Sequence, residues 1–542
     1  MKIQQKKQLE NTSKIMENMS FPKLSEFASS ESSSSSPVDP SAMKIELLSL
    51  IKRLQPVHEM NYRDEKKLFG KAHRSVFNAD SLLKAIEKEC HVDQKGAEKI
   101  ANFMIENGII TCIDKKKYTI QDGKLFKFTR EYLPRMVILG GGHAGITAAQ
   151  NLFEYFNIIL IDKNDVASLK PSHPIVLEKE EHADKISVPL SDVMQNRGVF
   201  IRGLVRHVTQ EGVFVETSNT TFTFDSFLNT VTQNDEKLSA FQNRKFLNYD
   251  YLVIATGSSS WKNMLEFTQQ DNPDNKILYV DPYSLESVKS SIPLLKNDST
   301  KKIVLIGGGF IGVEFAGSLA FSYPKREFIL IQRGDMIMKP SEAAHKVVSE
   351  NFKKFKNLKI MFHSQVTSQK DANTLVVKTT APNQQNGGSE ELEIDCSVCY
   401  LCSGCKPNTD MLKGSNFESV LDERGYIKVN KHFQVLDPSD NTRHLRNVFA
   451  LGDVNNLEVD KLLQNARLQS ACFTDVAKLV VQNSKEPLPS YEVDARVKAA
   501  SVGPKHGFVI KEEKVLFSSF MVNKLKGLLE TTVMKQYRKT VD

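Results

Sequence analysis

The sequence predicts an α/β protein built from two Rossmann-like units, preceded by a small α+β module. Three observations carry this expectation. After Pro134 the chain alternates apolar strands ending in glycine turns with helices, the texture of parallel α/β sheets. The stretch MVILGGGHAGITAAQNL, from Met136, runs an apolar strand directly into Gly140-x-Gly142-x-x-Gly145 and a helix. The stretch KKIVLIGGGFIGVEFAGSLA repeats the device with Gly307, Gly309 and Gly312, 167 residues downstream.

Length and composition frame these units. A chain of 542 residues accommodates three or more domains, and 40% apolar and 25% charged residues with a mean hydropathy of −0.33 describe a soluble globular protein. No run of 18 or more apolar residues is present, so no segment is expected to span a bilayer. The opening MKIQQKKQLENTSKIMENMSF lacks the apolar stretch of a signal peptide, and Glu10 and Glu17 without any arginine argue against a mitochondrial leader. Seven cysteines, four of them between Cys396 and Cys405, suit a reducing compartment better than a disulfide framework. A cytoplasmic location follows, with peripheral membrane association left open. Of the net charge of +7, residues 41–130 contribute +6, from 18 Lys and Arg against 12 Asp and Glu. Such a patch is either a solvated face or an attraction to an anionic surface such as a membrane. No interleaving of aromatic and basic residues recommends nucleic acid.

Residues 1–42 contain the run SSESSSSSP and are expected to form a flexible leader. Residues 43–130 read as helices, around Ile45–Ile51, Ser81–Glu89 and Gln94–Glu106, followed by short strands in ITCIDKKKYTIQDGKLFKF. This order, with FNADSLLKAI, AEKIANFMIENGIIT and the closing KLFKF, resembles a DEP domain. The resemblance implies a targeting module that binds a membrane or a protein partner rather than a catalyst.

In the first glycine motif, Gly140, Gly141, Gly142, His143, Ala144 and Gly145 form a turn that lets a backbone approach a pyrophosphate at a helix N-terminus. A second strand, Ile158–Ile161, ends at Asp162, an acid placed to accept from ribose hydroxyls. Strand, loop, helix, strand and acid at this spacing predict a dinucleotide site. The second motif ends its following strand at Gln332 beside Arg333; a neutral amide does not repel a 2′-phosphate, so NADPH is expected alongside NADH. Two dinucleotide sites in one chain point to two cofactors exchanging electrons. YDYLVIATGSS places a strand before the turn Ala255-Thr256-Gly257, and RNVFALGDVNN ends a strand at Gly452-Asp453.

In this order the motifs resemble the two-dinucleotide-binding flavoprotein superfamily over about 400 residues from Pro134 onward. The late stretches NARLQSACFTDVAKLVV and PLPSYEVDARVKAASVGPKHGFVI are most similar to the apoptosis-inducing-factor-like, ferroptosis-suppressor type of NAD(P)H:quinone oxidoreductase. The resemblance implies FAD on Gly140–Gly145, Asp162 and Asp453, with Thr256 and Gly257 closing the first part of the flavin domain and Val205 near the adenine. It implies NAD(P)H on Gly307, Gly309, Gly312 and Gln332. It implies an FAD-binding domain at 134–295 and 396–483, an NAD(P)H-binding domain at 296–395 and a C-terminal segment at 484–542. It also implies hydride transfer from NAD(P)H to flavin and two electrons onward to a quinone; a redox-sensing flavoprotein with little turnover is the alternative.

Glu314, in GVEFAG, matches a glutamate near the nicotinamide and flavin, or is a helix N-terminal acid favoured by the dipole. Lys535, in TTVMKQYRK, matches a lysine near the isoalloxazine, or is a solvated helix residue. The C-terminal run VLFSSFMVNKLKGLLETTVMKQYRK either lies in a lipid interface or folds back over the flavin. Two departures stand out. Family members often carry an arginine where Lys170–Asp184 offers only lysines, and Lys2 occupies the position that N-myristoylation reserves for glycine.

The run DCSVCYLCSGCKPN reads as a strand through Cys402 and a turn. Alternation would put Cys396 and Cys402 on one face and Cys399 on the other, which does not converge on zinc or a cluster. Disulfide reductases of this superfamily place their cysteine pair just after the first glycine loop or shortly before the second, and neither place holds one here. The expectation is buried apolar packing and no metal site.

Overall fold

The computed structural model describes residues 21–29, 40–54, 63–65, 73–113, 119–120, 124–217, 244–260, 276–297, 300–380, 389–492 and 497–540. The N-terminal module has helices Pro22–Ser29, Pro40–Leu54, Ala79–Cys90 and Gln94–Glu106. A four-stranded antiparallel sheet completes it, in the order Arg63–Glu65, His73–Asn78, Leu125–Phe128, Ile110–Cys112. Asn78 and Asp93 start the last two helices by accepting from the N–H groups of Ser81 and Gly96. The module has its own core, including Leu24, Leu50, Ile51, Phe77, Ile86, Ile100, Met104 and Phe126.

The leader expected over residues 1–42 is shorter than predicted. Phe21 and Leu24 are buried in this core, and the Glu46 carboxylate accepts from the N–H groups of Lys23 and Leu24 at 3.2 and 2.9 Å. Phe21, Leu24 and Phe27 at helical spacing carry enough apolar surface to fold beside a serine-rich run. Residues 1–20 and the serine run after Ser29 lie outside the described residues.

The first Rossmann-like sheet is assembled from two distant parts of the chain. Its order is Gln434–Asp437, Asp440–Ala450, Tyr251–Ile254, Arg135–Leu139, Asn157–Asp162, Gly198–Arg202, parallel except for the hairpin at 434–450. The strand before Gly140 is central and buried along its whole length. The second sheet runs Leu358–Met361, Phe328–Ile331, Lys302–Ile306, Ser389–Leu401, then turns antiparallel into Thr374–Thr380 and Ser364–Gln369.

Two expected boundaries move. Leu278–Val280 pairs with Ser389–Leu401, so residues before 296 already belong to the second sheet. The boundary expected after 395 falls inside the strand Ser389–Leu401, which stays in that sheet throughout. The expected alternation of its cysteines also fails. The register with Lys302–Ile306 slips at Ser397, where Lys302 faces Cys396 and Ile303 faces Val398. This bulge carries an extra residue and puts Cys396 and Cys399 on the same face, while Val398, Tyr400 and Cys402 face the other core. Hydrophobic patterning alone does not reveal such a slip.

The C-terminal segment forms an antiparallel sheet, Val497–Ser501, Gly507–Lys511 and Lys514–Ser519, and the helix Met521–Tyr537. It docks on the helix Phe310–Ser322, where a Cβ on Gly317 would stand 2.4 Å from the backbone nitrogen of Gly503. Gly503 itself has φ +74°, which glycine alone adopts without strain. The stretch Ser501–Gly507 is therefore the edge that lets the last sheet close onto the second glycine-loop helix.

Candidate functional site

The two glycine loops are built alike. In the first, Gly140 has φ +106°, and a Cβ on Gly145 would fall 1.9 Å from the Gly140 carbonyl oxygen. In the second, Gly307 has φ +104°, and a Cβ on Gly312 would fall 1.8 Å from the Gly307 oxygen. These glycines are fixed by packing of loop, strand and helix. Gly142 and Gly309 differ: a Cβ there would meet nothing within 4 Å. They face open space at the start of the helices His143–Leu152 and Phe310–Ser322.

Both helices begin with no side-chain cap, whereas Asn78, Asp93, Ser284 and Ser341 cap their helices elsewhere in the chain. Uncapped N–H groups at the positive end of a helix dipole, above a glycine with room beside it, fit a pyrophosphate.

The acid and the amide at the ends of the following strands play parallel roles. Asp162 Oδ2 accepts from the N–H of Gly141 at 2.7 Å, and Gln332 Oε1 accepts from the N–H of Gly308 at 2.9 Å. Asp162 is half-buried and keeps acceptor capacity for a ribose. Gln332 spends its amide N–H on the carbonyl of Met336 at 2.9 Å, beside the exposed Arg333. Val205 lies two residues beyond Gly203, whose N–H donates to the Asp162 carbonyl, so it shares the Asp162 end of the sheet. Ala144 and His143 occupy the first turn of the first loop helix. His143 Nδ1 lies 2.8 Å from the Tyr537 hydroxyl, and burial, aided by Arg467, holds its pKa down at about 4.

Thr256, Gly257 and Asp453 lie just past the C-terminal ends of the neighbouring strands Tyr251–Ile254 and Asp440–Ala450. Thr256 Oγ1 donates to the Asn408 carbonyl at 2.7 Å, and Asn408 returns bonds to the carbonyls of Thr256 and Gly257. This clamp positions Ser258, whose Oγ donates to Asp453 Oδ2 at 3.0 Å. Beside Asp453 lies a cluster that the sequence did not announce. Cys405 is half-buried and lies beside the phenols of both Tyr283 and Tyr426. Burial raises both phenols, Tyr426 to about 12, so they stay protonated. Lys461 sits 4.7 Å over the Tyr426 ring; burial lowers its pKa and the Asp453 carboxylate opposes that. A cavity of about 780 Å³ lined by Arg424, Tyr426, Lys461, Asn465 and Lys498 opens here.

Glu314 is 8% exposed. Its Oε1 accepts from the Ser501 N–H at 2.9 Å and from Lys526 Nζ, which also donates to Ser501 Oγ at 3.1 Å. The lysine brought to Glu314 is thus Lys526. Lys535, the residue expected near the isoalloxazine, is exposed. Nine residues along an α-helix amount to about half a revolution beyond whole turns, so the two lysines leave opposite sides of Met521–Tyr537. Among the described residues no three His, Cys, Asp or Glu side chains are placed to hold a metal ion.

Two glycine loops built alike, each ahead of an uncapped helix, describe a protein with two nucleotide sites, and the family model for pyridine nucleotide-disulphide oxidoreductases matches residues 134–470. The chain belongs to that family. This oxidoreductase is 24% identical over 407 residues to apoptosis-inducing factor homolog B of Dictyostelium discoideum, spanning 72% of this chain and 93% of that protein. It is 25% identical over 394 residues to ferroptosis suppressor protein 1 of Xenopus tropicalis, spanning 70% and 89%. Among solved structures, NDH2 from Plasmodium falciparum in complex with NADH matches with a TM-score of 0.59 at 13% identity, covering 75% of this chain and 96% of that one. The cofactors of the oxidoreductase are FAD and NAD(P)H.

Proposed function

We propose that this oxidoreductase passes electrons from NAD(P)H through FAD to a quinone at a lipid surface. The observation that carries the reading is the two-sided helix Met521–Tyr537. One side brings Lys526 to Glu314 on the helix that follows the second glycine loop. The other exposes Leu525, Leu528 and Leu529, continuous with Phe517, Phe520 and Met521, and Leu528 is 65% exposed. An apolar face with Lys514 and Lys524 in its margin suits a lipid interface, where a membrane-dissolved quinone would arrive. No helix among the described residues is long and apolar enough to cross a membrane. Relatives named as ferroptosis suppressors and as NDH2 support the general class.

In this reading FAD lies on Gly140–Gly145, with Asp162 on its ribose, Val205 by its adenine, Thr256 and Gly257 at the strand turn and Asp453 on the ribityl chain. NAD(P)H lies on Gly307, Gly309 and Gly312, with Gln332 shaping the adenosine end. When bound, FAD supplies the two-electron exchange between nicotinamide and acceptor. Glu314, held by Ser501 and Lys526, orients the nicotinamide; the last sheet and helix exclude water from that face. The N-terminal module, DEP-like in sequence, selects a membrane or protein partner.

The test is anaerobic mixing of the yellow protein with NADH, followed by a short-chain quinone. Rapid bleaching and repeated turnover, increased by anionic vesicles, is the expected result. Slow bleaching to a stable long-wavelength colour without turnover would reject the reading in favour of a redox sensor.

A further inference from the structure

Three helical segments each present two polar side chains, four residues apart, to a common seam. Phe310–Ser322 contributes Glu314 and Ser318, and Met521–Tyr537 contributes Lys526 and Glu530. The segment running from His173–Glu178 into His182–Lys185 contributes Glu178 and His182. The six are cross-linked in pairs. Lys526 donates to Glu314, Ser318 Oγ donates to Glu178 Oε1 at 2.7 Å, and His182 Nε2 lies 3.1 Å from Glu530 Oε2.

Ser318 is 2% exposed, while the His182 and Glu530 side chains retain 15% and 13%. The Lys526 and Glu314 side chains keep 20% and 11%, so both end pairs are partly open and the Ser318–Glu178 pair lies between them. Glu178 sits between, faced by Ser318, by Lys526 from the last helix, and by Lys179 and His182 from its own segment. Burial raises its pKa, with the Ser318 hydrogen bond and these cations opposing, so it is suited to hold a proton.

We propose that Glu178, with Ser318, His182 and Glu530, is a proton relay feeding the Glu314–Lys526 pair. The inference rests on the quinone reading. In the overall reaction NAD(P)H + H⁺ + quinone gives NAD(P)⁺ + quinol. The nicotinamide hydride carries both electrons and one proton, and the second proton comes from water. The relay carries that second proton: one enters at His182 and Glu530, Glu178 passes one on, and Lys526 or Glu314 delivers one to the quinone oxygen. Glu178 acts through the Glu314–Lys526 pair and is a positioning and relay residue rather than a catalytic one.

Glu178→Gln preserves size and the acceptor for Ser318 but cannot carry a proton. Its reduction by NADH and its turnover with ferricyanide, which takes electrons without protons, are expected to stay within about twofold of the unaltered protein. Quinone turnover falls at least about tenfold, with a larger solvent deuterium isotope effect and an earlier decline at alkaline pH. Glu178→Asp restores most of it, and Glu530→Gln, at the end far from Glu314, gives a smaller loss of the same kind. Equal quinone turnover and isotope effect in Glu178→Gln and the unaltered protein would overturn the relay alone. Ferricyanide turnover without any quinone turnover in the unaltered protein would overturn the quinone reading and the relay with it.

Discussion

The Tyr537 hydroxyl lies 2.8 Å from Nδ1 of His143, pinning the last helix to the first glycine loop across 394 residues of sequence. The neighbouring contacts strengthen the pin. Gln150 Nε2 donates to the carbonyls of Gln536 and Tyr537, and Arg538 donates to those of Asp184, Lys185 and Ser187. Tyr537→Phe leaves a buried ring nitrogen without its partner, costing about 1–3 kcal/mol. Thermal release of FAD, followed by flavin fluorescence, is expected at a lower temperature, with a smaller change in the far-UV dichroism midpoint. Unchanged flavin release would show that the pin does not reach the loop.

The two kinds of glycine in each loop separate folding from binding. Gly309→Ala places its methyl in open space at an ordinary φ of −80°, so the melting temperature should hold while NADH binding weakens about tenfold or more. Gly312→Ala drives a methyl into the Gly307 carbonyl and should lower the melting temperature itself. In both variants FAD stays bound, read as the ratio of flavin to protein absorbance. Loss of FAD from Gly309→Ala would contradict the assignment of the second loop to NAD(P)H.

Lys526 and Glu314 have side chains 20% and 11% exposed. Lys526→Met therefore strands a largely covered carboxylate and should cost about 1–3 kcal/mol in urea unfolding. Adding Glu314→Gln should recover most of that loss. A purely additive double variant would show that the two groups do not interact.

Two buried histidines should make the protein acid-sensitive. Burial lowers both His143 and His173 to about 4; His173 is fully buried, with Nδ1 2.9 Å from the Pro282 carbonyl and Nε2 2.9 Å from Ser168 Oγ. Their folded values lie below the unfolded value near 6.5, so their contribution is complete above that pH and is lost as pH falls toward 4. Each is worth about 3 kcal/mol over that window. Urea midpoints at pH 7, 5.5 and 4.5 should fall in that order, and His173→Asn should flatten the slope.

What was legible in the sequence was local. The glycine loops, Asp162, Gln332 and Asp453 are each set by a strand end and a fixed count of residues, and the structure has each of them at a strand end. The covering lysine was not legible in this way. Lys526 reaches Glu314 across 212 residues, and its choice over Lys535 depends on the phase of a helix whose docking only the folded chain defines. The Ser397 bulge was hidden because one extra residue leaves the apolar content of the strand unchanged. The helix Pro22–Ser29 was hidden because a serine-rich neighbour set the composition of the region. Glu178 and His182 carry no signal in the sequence, because their partners Ser318 and Glu530 sit on two other helices far along the chain.

The strand with four cysteines bears on how this oxidoreductase survives its own side reaction. Reduced flavin that meets oxygen yields hydrogen peroxide, and peroxide attacks the thiolate rather than the thiol. Burial pushes the Cys396 thiol up to about 12 and raises Cys399 and Cys402 as well, and all three are covered by the two cores that the bulge divides between them. Cys405, four residues past the strand's end and beside Tyr283 and Tyr426, is half-covered instead. Oxidative wear should therefore begin at Cys405, where a sulfenic acid would stand beside Tyr283 and Tyr426, and leave the three thiols of the strand intact.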